Sequence, residues 1–274
     1  MGAMGLDALR TQMKTATLRR KIDVSSPWLS IFQFDLLEPC HFKPGQYVNL
    51  DLETAAELPP KPYSIASSPY ESKFLEFYIN LVDKGELSPH LLALKPGDVI
   101  RYGHPGGNFT LERTHRRDLV MVASGTGLAP FVSMVRKLKF ECSANGRSDY
   151  SVIVMHGVSH TQDLGYRAEL EAWSRQEDLQ LFYLPTISRP ETDPDFTRQQ
   201  TQGRVNDLLR HFLGEPKTGP VEPLPGIQVD VERIKGLLCP SSAFFICGNP
   251  EMIADCRAAL HSRGLTEVFT EEYW

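Results

Sequence analysis

The stretch VMVASGTGLAPF, residues 120–131, decides how the second half of the chain is read. Leu119 to Ala123 are apolar without alternation, the pattern of a strand buried on both faces. Gly125, Thr126 and Gly127 break the run, and from Ala129 to Lys139 the spacing becomes helical. Glycines let a backbone approach a phosphate closely, and the helix behind them offers free N–H groups and the positive end of its dipole. Strand, glycine turn and helix together make a candidate phosphate site, although a tight strand-to-helix turn needs no ligand.

The same alternation recurs downstream. SVIVMHG is followed by YRAELEAWSRQ, LQLFYLPTI by RVNDLLRHFL, and AFFICG by PEMIADCRAALHSR. That order predicts a parallel α/β nucleotide-binding domain over residues 118–274. Residues 15–111 read differently: short β-former runs (LSIFQFDL, QYVNLDL, FLEFYINLV) are punctuated by KPG, LPPKP, SSP and KPGD. This is an antiparallel unit, closed as a barrel or sandwich. The expected fold is therefore a two-domain α+β chain, an N-terminal antiparallel β-barrel followed by the parallel α/β domain. Residues 1–14 stand as an N-terminal extension, the polar LERTHRRD at 111–118 as a boundary, and GEPKTGPVEPLPG at 214–226 as a long loop. Clefts between such domains are where cofactors meet.

Composition narrows the function. The 274 residues suit two domains, and 41% hydrophobic with 23% charged content is that of a soluble globular protein. A net charge of −5 lacks the basic excess of a general nucleic-acid binder. No apolar run approaches the roughly 20 residues that span a bilayer, and MGAMGLDALR has no signal-peptide core, so the chain is expected to be cytoplasmic, away from membranes, and a monomer. Cys40, Cys142, Cys239, Cys247 and Cys256 are scattered, against a cysteine-ligated iron–sulfur cluster or a disulfide framework. His156 and His160 flank a helix-breaking glycine with no acidic partner following; they read as turn histidines, not metal ligands.

Two more segments have the chemistry of anion sites. In DKGELSPHLLALKPGD, residues 83–98, Ser88 suits an N-cap and Pro89 the first helical position, while Gly85 leaves the approach to that N-terminus open. In FFICGNPEMIADC, residues 244–256, Cys247 ends a buried strand, Gly248 turns, Asn249 caps and Pro250 starts a helix. Either could be plain architecture, a capped helix or a buried cysteine. Two strand ends, GTG and CGN, opening into one crevice favour a dinucleotide.

In this order the motifs resemble the ferredoxin–NADP reductase family, more closely its bacterial, FAD-dependent ferredoxin/flavodoxin branch, over residues 15–274. Lys61-Pro62-Tyr63-Ser64 is similar to the family's Arg-x-Tyr-Ser motif. The resemblance implies that Tyr63 covers the flavin, that Ser64 approaches its N5, and that Tyr78 joins the flavin contacts. Lysine at 61 keeps the charge of the family arginine but loses its fork. Gly85, Leu87 and Ser88 match the turn that takes the flavin pyrophosphate, which favours FAD over FMN. Gly125, Thr126 and Gly127 match the nicotinamide dinucleotide loop. Cys247, Gly248 and Met252 match C-G-x-x-x-M, whose cysteine lies where the nicotinamide stacks. The terminal Tyr273 and Trp274 match the aromatic end of some bacterial members, which packs on FAD. Ser188-Arg189 and Arg204 look like the two basic segments that select NADP over NAD, while a third family arginine, after H-G-V, is here Ser159.

The resemblance implies an enzyme passing electrons between NADPH, as hydride to flavin N5, and a separate one-electron acceptor such as ferredoxin or flavodoxin. Ser64, Cys247 and Glu271 are its candidate catalytic residues. Arg19, Arg20, Lys21 and Lys73 are candidates for steering an acidic partner, or simply a solvated face. Two enzymatic alternatives share the fold, the reductase component of an oxygenase and a flavin or ferric reductase. A non-enzymatic alternative is a dinucleotide-sensing subunit of a larger complex; the familiar ones carry clustered C-terminal cysteines that this chain lacks.

Overall fold

The computed structural model describes residues 10–25, 27–82, 85–197, 200–221 and 230–272. Its chain divides into two units, residues 1–111 with 132–137, and residues 112–131 with 138–274.

In the first unit the β-former runs become six antiparallel strands: β1 (Lys14–Ser25), β2 (Leu29–Leu36), β3 (Tyr47–Asp51), β4 (Lys61–Ser64), β5 (Phe74–Asn80) and β6 (Val99–Tyr102). Their order is β4-β3-β6-β1-β2-β5. The Ala66 N–H donates to the Glu76 carbonyl at 2.8 Å, joining the end of β4 to β5 and closing the sheet on itself. Alternating residues such as Ala16, Leu18, Val48 and Leu50 meet Phe32, Phe34 and Phe77 in one core. A short helix, α1 (Ser88–Leu92), lies between β5 and β6.

The segment 132–137 of helix α2 (Ala129–Asn145) belongs with this unit. Ser133 Oγ donates to the Ser67 carbonyl at 2.7 Å, and Arg136 donates to Glu76 at 2.6 Å and to the Ala66 carbonyl at 2.9 Å. Glu76, only 2% exposed, also accepts from Gln33 at 2.8 Å, so its buried charge is fully engaged.

The second unit is a six-stranded parallel sheet. Its strands are β7 (Asp118–Ser124), β8 (Ser151–Val158), β9 (Gln180–Ile187), β10 (Thr201–Gln202), β11 (Ala243–Gly248) and β12 (Val268–Glu272), ordered β10-β9-β8-β7-β11-β12. The helices are α2, α3 (Arg167–Ser174), α4 (Val205–Leu213), α5 (Val231–Leu237) and α6 (Pro250–Ser262). The apolar runs of β7, β8 and β11 are buried throughout their centres, as strands covered on both faces must be. The sheet exceeds the four strands legible in sequence, because β10 is two residues long and β12 consists of half-buried residues. Helix α5 was likewise unannounced: of its seven residues only Ile234 is buried, too little for a helical pattern. Residues 214–221 of the long loop carry no helix or strand, and 222–226 lie outside the described residues.

Candidate functional site

The strand order of the parallel sheet reverses between β7 and β11. In open α/β sheets the crevice at the C-terminal strand ends, at such a reversal, is where ligands bind. Both glycine turns sit there and press directly on one another. A Cβ on Gly127 would lie 2.3 Å from the Cys247 carbonyl oxygen, and one on Gly248 (φ +139°) would lie 2.1 Å from Ser124 Oγ. These glycines therefore permit turn-to-turn backbone contact. Ser124 Oγ accepts the Asn249 N–H at 3.0 Å, and Asn249 Oδ1 caps α6 by accepting from Glu251 (2.8 Å) and Met252 (3.3 Å). Between β7 and α2, residues Gly125–Leu128 form a 3₁₀ turn. Its first N–H groups have no acceptor within the turn, which makes it a donor set suited to phosphate.

His156 corrects the turn-histidine expectation. It lies inside β8, fully buried, between Ala123 of β7 and Pro185 of β9. Its Nε2 is 3.0 Å from the Gly125 carbonyl oxygen and its Nδ1 is 3.2 Å from Tyr183 Oη. Burial lowers its pKa to about 4, so the ring is neutral. Spacing along the chain could not reveal it, since its partners are 31 and 27 residues away. His160 does lie beyond the strand, hydrogen-bonded to Thr192 at 3.0 Å.

Cys247 is fully buried and stands in register with Ala123 on one side and Glu271 on the other. Met252, 7% exposed, faces the core, where the Cys256 thiol approaches its sulfur at 3.6 Å. Tyr273 and Trp274 lie outside the described residues.

Further along the same strand ends, three segments converge. The Arg189 N–H donates to the Ser159 carbonyl at 3.1 Å, and the Gly203 N–H to the Ile187 carbonyl at 2.8 Å. Ser188 Oγ donates to the Val158 carbonyl at 3.0 Å, which commits its proton. Arg189 is exposed, and so is Arg204, the N-cap of α4. Among the described residues neither guanidinium has a carboxylate within ion-pair distance, whereas Arg210 clasps Asp255 at 2.5 Å and holds that carboxyl below its usual range.

In the first unit the two expected flavin segments also meet. Lys61 Nζ lies 3.7 Å from the Glu86 carboxylate, an exposed pair that leaves the cation accessible. Tyr63 packs on the barrel core, and burial pushes its hydroxyl up to about 12. Ser64 is buried opposite Tyr47, and Tyr78, 4% exposed, stands opposite Ile31. The Ser88 expectation needs correction: Leu87 holds the N-cap position, Ser88 begins the helix, and its Oγ accepts the Val82 N–H at 3.1 Å. The hydroxyl closes the turn over Gly85, where a Cβ would meet Val82 Cβ at 2.8 Å and Ser88 Oγ at 2.9 Å. That contact, invisible in a local pattern, outcompetes capping. Of the basic residues named for partner steering, Arg19 faces Asp35 at 3.7 Å and Lys21 donates to the Leu92 carbonyl at 2.5 Å, while Arg20 and Lys73 are exposed.

Comparison with known proteins follows the two units. Residues 15–111 match the oxidoreductase FAD-binding domain and residues 121–258 the oxidoreductase NAD-binding domain. The chain is 30% identical over 237 residues to ferredoxin–NADP reductase of Azotobacter vinelandii, covering 82% of this chain and 80% of that one. It is 28% identical over 216 residues to flavodoxin/ferredoxin–NADP reductase of Escherichia coli (strain K12), covering 78% and 77%. A ferredoxin NADP+ reductase from Neisseria gonorrhoeae, solved with bound FAD and NADP, shares its fold at a TM-score of 0.75 and 24% identity, over 96% of this chain and 99% of that one. No helix among the described residues is long and apolar enough to cross a membrane.

Proposed function

The chain belongs to the ferredoxin–NADP reductase family of flavin oxidoreductases, and on that premise we propose that it passes electrons between NADPH and a small one-electron carrier of the ferredoxin or flavodoxin type. Bound FAD supplies a centre that takes a hydride and gives up electrons singly. The residues of the first unit suit its hold. Lys61 offers a cation beside the Gly85–Ser88 turn, whose glycine lets Val82 and Ser88 close tightly over it. Ser64 and Tyr63, at the end of β4, are the groups we assign to the flavin ring, with Tyr78 behind them.

The observation that carries the proposal is the row of strand ends in the second unit. The Gly125–Leu128 turn presents N–H donors at the reversal of strand order, packed against the Gly248 turn, and Arg189 and Arg204 stand along the same edge without carboxylate partners among the described residues. A guanidinium pair suits the 2′-phosphate that separates NADP from NAD. Cys247 and Glu271, side by side in register, bound the other end of that row and are assigned to the nicotinamide. Their task is orientation and exclusion of water while the hydride moves. Five scattered cysteines do not suit a cysteine-ligated cluster within these 274 residues, which favours a separate carrier as the acceptor. We place the protein in the cytoplasm, as a monomer.

Steady-state turnover of the FAD-loaded protein with NADPH, against ferredoxin, flavodoxin, free flavin and ferric citrate in parallel, tests the proposal. Fastest turnover with ferredoxin or flavodoxin supports it, and fastest turnover with free flavin or ferric citrate replaces it by a flavin or ferric reductase.

A further inference from the structure

We propose that His156, held by Tyr183, is a positioning residue that aims the Gly125–Gly127 turn at the dinucleotide phosphates. The inference rests on the reading of that turn as the dinucleotide loop.

The φ of Gly125, +54°, is left-handed, and no described atom lies within 4 Å of where a Cβ would stand. Glycine is there for its left-handed conformation and not for space. Within the 3₁₀ turn its carbonyl accepts the i+3 N–H of Leu128, a bond of poorer geometry than an α-helical one, at a residue of wide conformational freedom.

His156 supplies the hold. The Gly125 carbonyl oxygen can only accept, so the ring nitrogen 3.0 Å away, Nε2, must be the donor. In a neutral ring Nδ1 then carries no proton, and Tyr183 Oη at 3.2 Å donates to it. Burial disfavours the doubly protonated ring, and Tyr183, by donating to Nδ1, supports the tautomer that the Gly125 carbonyl requires. A trans peptide is planar, with its carbonyl and its N–H pointing in opposite directions. Pinning the Gly125 oxygen toward the sheet interior therefore turns the Thr126 N–H outward, toward the strand-end crevice. Without the histidine the peptide keeps only its bond within the 3₁₀ turn, and the Thr126 N–H is aimed less firmly at a phosphate.

The test is calorimetric binding of NADP+ and of NAD+ to the FAD-loaded protein, for wild type, His156→Leu, His156→Gln and Tyr183→Phe. We expect His156→Leu to weaken both nucleotides by the same factor, about tenfold, because the pyrophosphate is common to them and the half-buried Gly125 carbonyl loses its ring donor. His156→Gln, which restores an N–H donor, recovers most of the affinity, and Tyr183→Phe falls between. Bound FAD stays at wild-type content throughout. Imidazole ¹⁵N shifts of the wild type report the Nε2–H tautomer. A folded His156→Leu protein with wild-type affinity, or an Nδ1–H tautomer, overturns the inference while leaving the dinucleotide reading intact. A wild type that binds neither nucleotide overturns both. Should His156→Leu fail to fold, Tyr183→Phe and the tautomer decide: wild-type affinity in Tyr183→Phe counts against the proposal.

Discussion

Gly127→Ala perturbs the contact on which both glycine turns depend. The new Cβ would stand 2.3 Å from the Cys247 carbonyl oxygen, 2.7 Å from its carbon and 3.0 Å from Gly248 Cα. All three are backbone atoms, so no rotamer change relieves the clash. The turn and the end of β11 must part by roughly 0.7 Å (3.0 − 2.3 Å) before the first contact reaches even the shortest distance real Cβ atoms show. Overpacking of this kind costs about 1–3 kcal/mol, and in a domain of this size each kcal/mol lowers Tm by about 2–4 °C. Misplacing a binding group by such a distance lowers kcat/KM by about tenfold to a hundredfold. The control is Gly125→Ala, which meets no described atom within 4 Å and bears only the cost of a left-handed alanine, about 1–2 kcal/mol. Thermal unfolding and NADPH kinetics on both variants, with bound FAD quantified, make the comparison. We expect a larger loss of kcat/KM in Gly127→Ala at unchanged FAD content. Wild-type kcat/KM and Tm in Gly127→Ala, or greater damage from Gly125→Ala, would show that the contact between the two turns does not set their geometry.

Three further expectations follow from other contacts. Glu76→Ala leaves the Arg136 guanidinium, 16% exposed, without its buried carboxylate; urea unfolding should register a loss of about 3–5 kcal/mol, and a loss under about 1 kcal/mol would contradict the burial argument. Gly203→Ala forces a side chain into φ +119° with its Cβ 2.6 Å from the Pro220 carbonyl oxygen, next to Arg204; the NADPH-to-NADH ratio of kcat/KM should fall, whereas an unchanged ratio in a folded variant would separate Arg204 from 2′-phosphate recognition. The third concerns pH. His156 has its pKa lowered from 6.5 to about 4 by burial, so below pH 6.5 the unfolded chain takes up a proton that the folded chain refuses. Stability is therefore flat above that pH for this group and falls as pH drops from 6.5 toward 4, by about 3 kcal/mol in all. Carboxylates held low by partners, such as Asp255 beside Arg210, act in a lower window, below 3.8. Urea midpoints at several pH values, compared with His156→Gln, isolate the contribution, and an identical slope in the variant would contradict it.

The sequence disclosed most where the controlling interactions are local. Asn249 reads as a cap before Pro250 and caps as expected, because its acceptor and the N–H groups it serves lie within three residues. The buried runs of β7, β8 and β11 announce a parallel sheet because both their faces are covered. Ser88 carries an equally good local signal, yet its hydroxyl goes to Val82 across the turn, and nothing in the spacing weighs that competitor. Gly127 was legible as a glycine a phosphate might need, while its contact with Cys247, 120 residues on, is a tertiary fact. His156 fails the same way: read through its neighbour four residues away, it looked like a turn residue, and its hydrogen-bond partners are Gly125 in the turn after β7 and Tyr183 on β9. The Glu76–Arg136 pair, a buried charge on a β-strand met by a helix 60 residues later, has no sequence signature.

Hydride transfer from NADPH to FAD held by this chain is the step on which the proposed function stands. Anaerobic stopped-flow mixing of the FAD-loaded protein with NADPH, and separately with NADH, follows it in a single turnover. NADPH should bleach the flavin band rapidly and NADH much more slowly. Equal rates would remove the 2′-phosphate role of Arg189 and Arg204, and no bleaching with either nucleotide would contradict the enzymatic function itself.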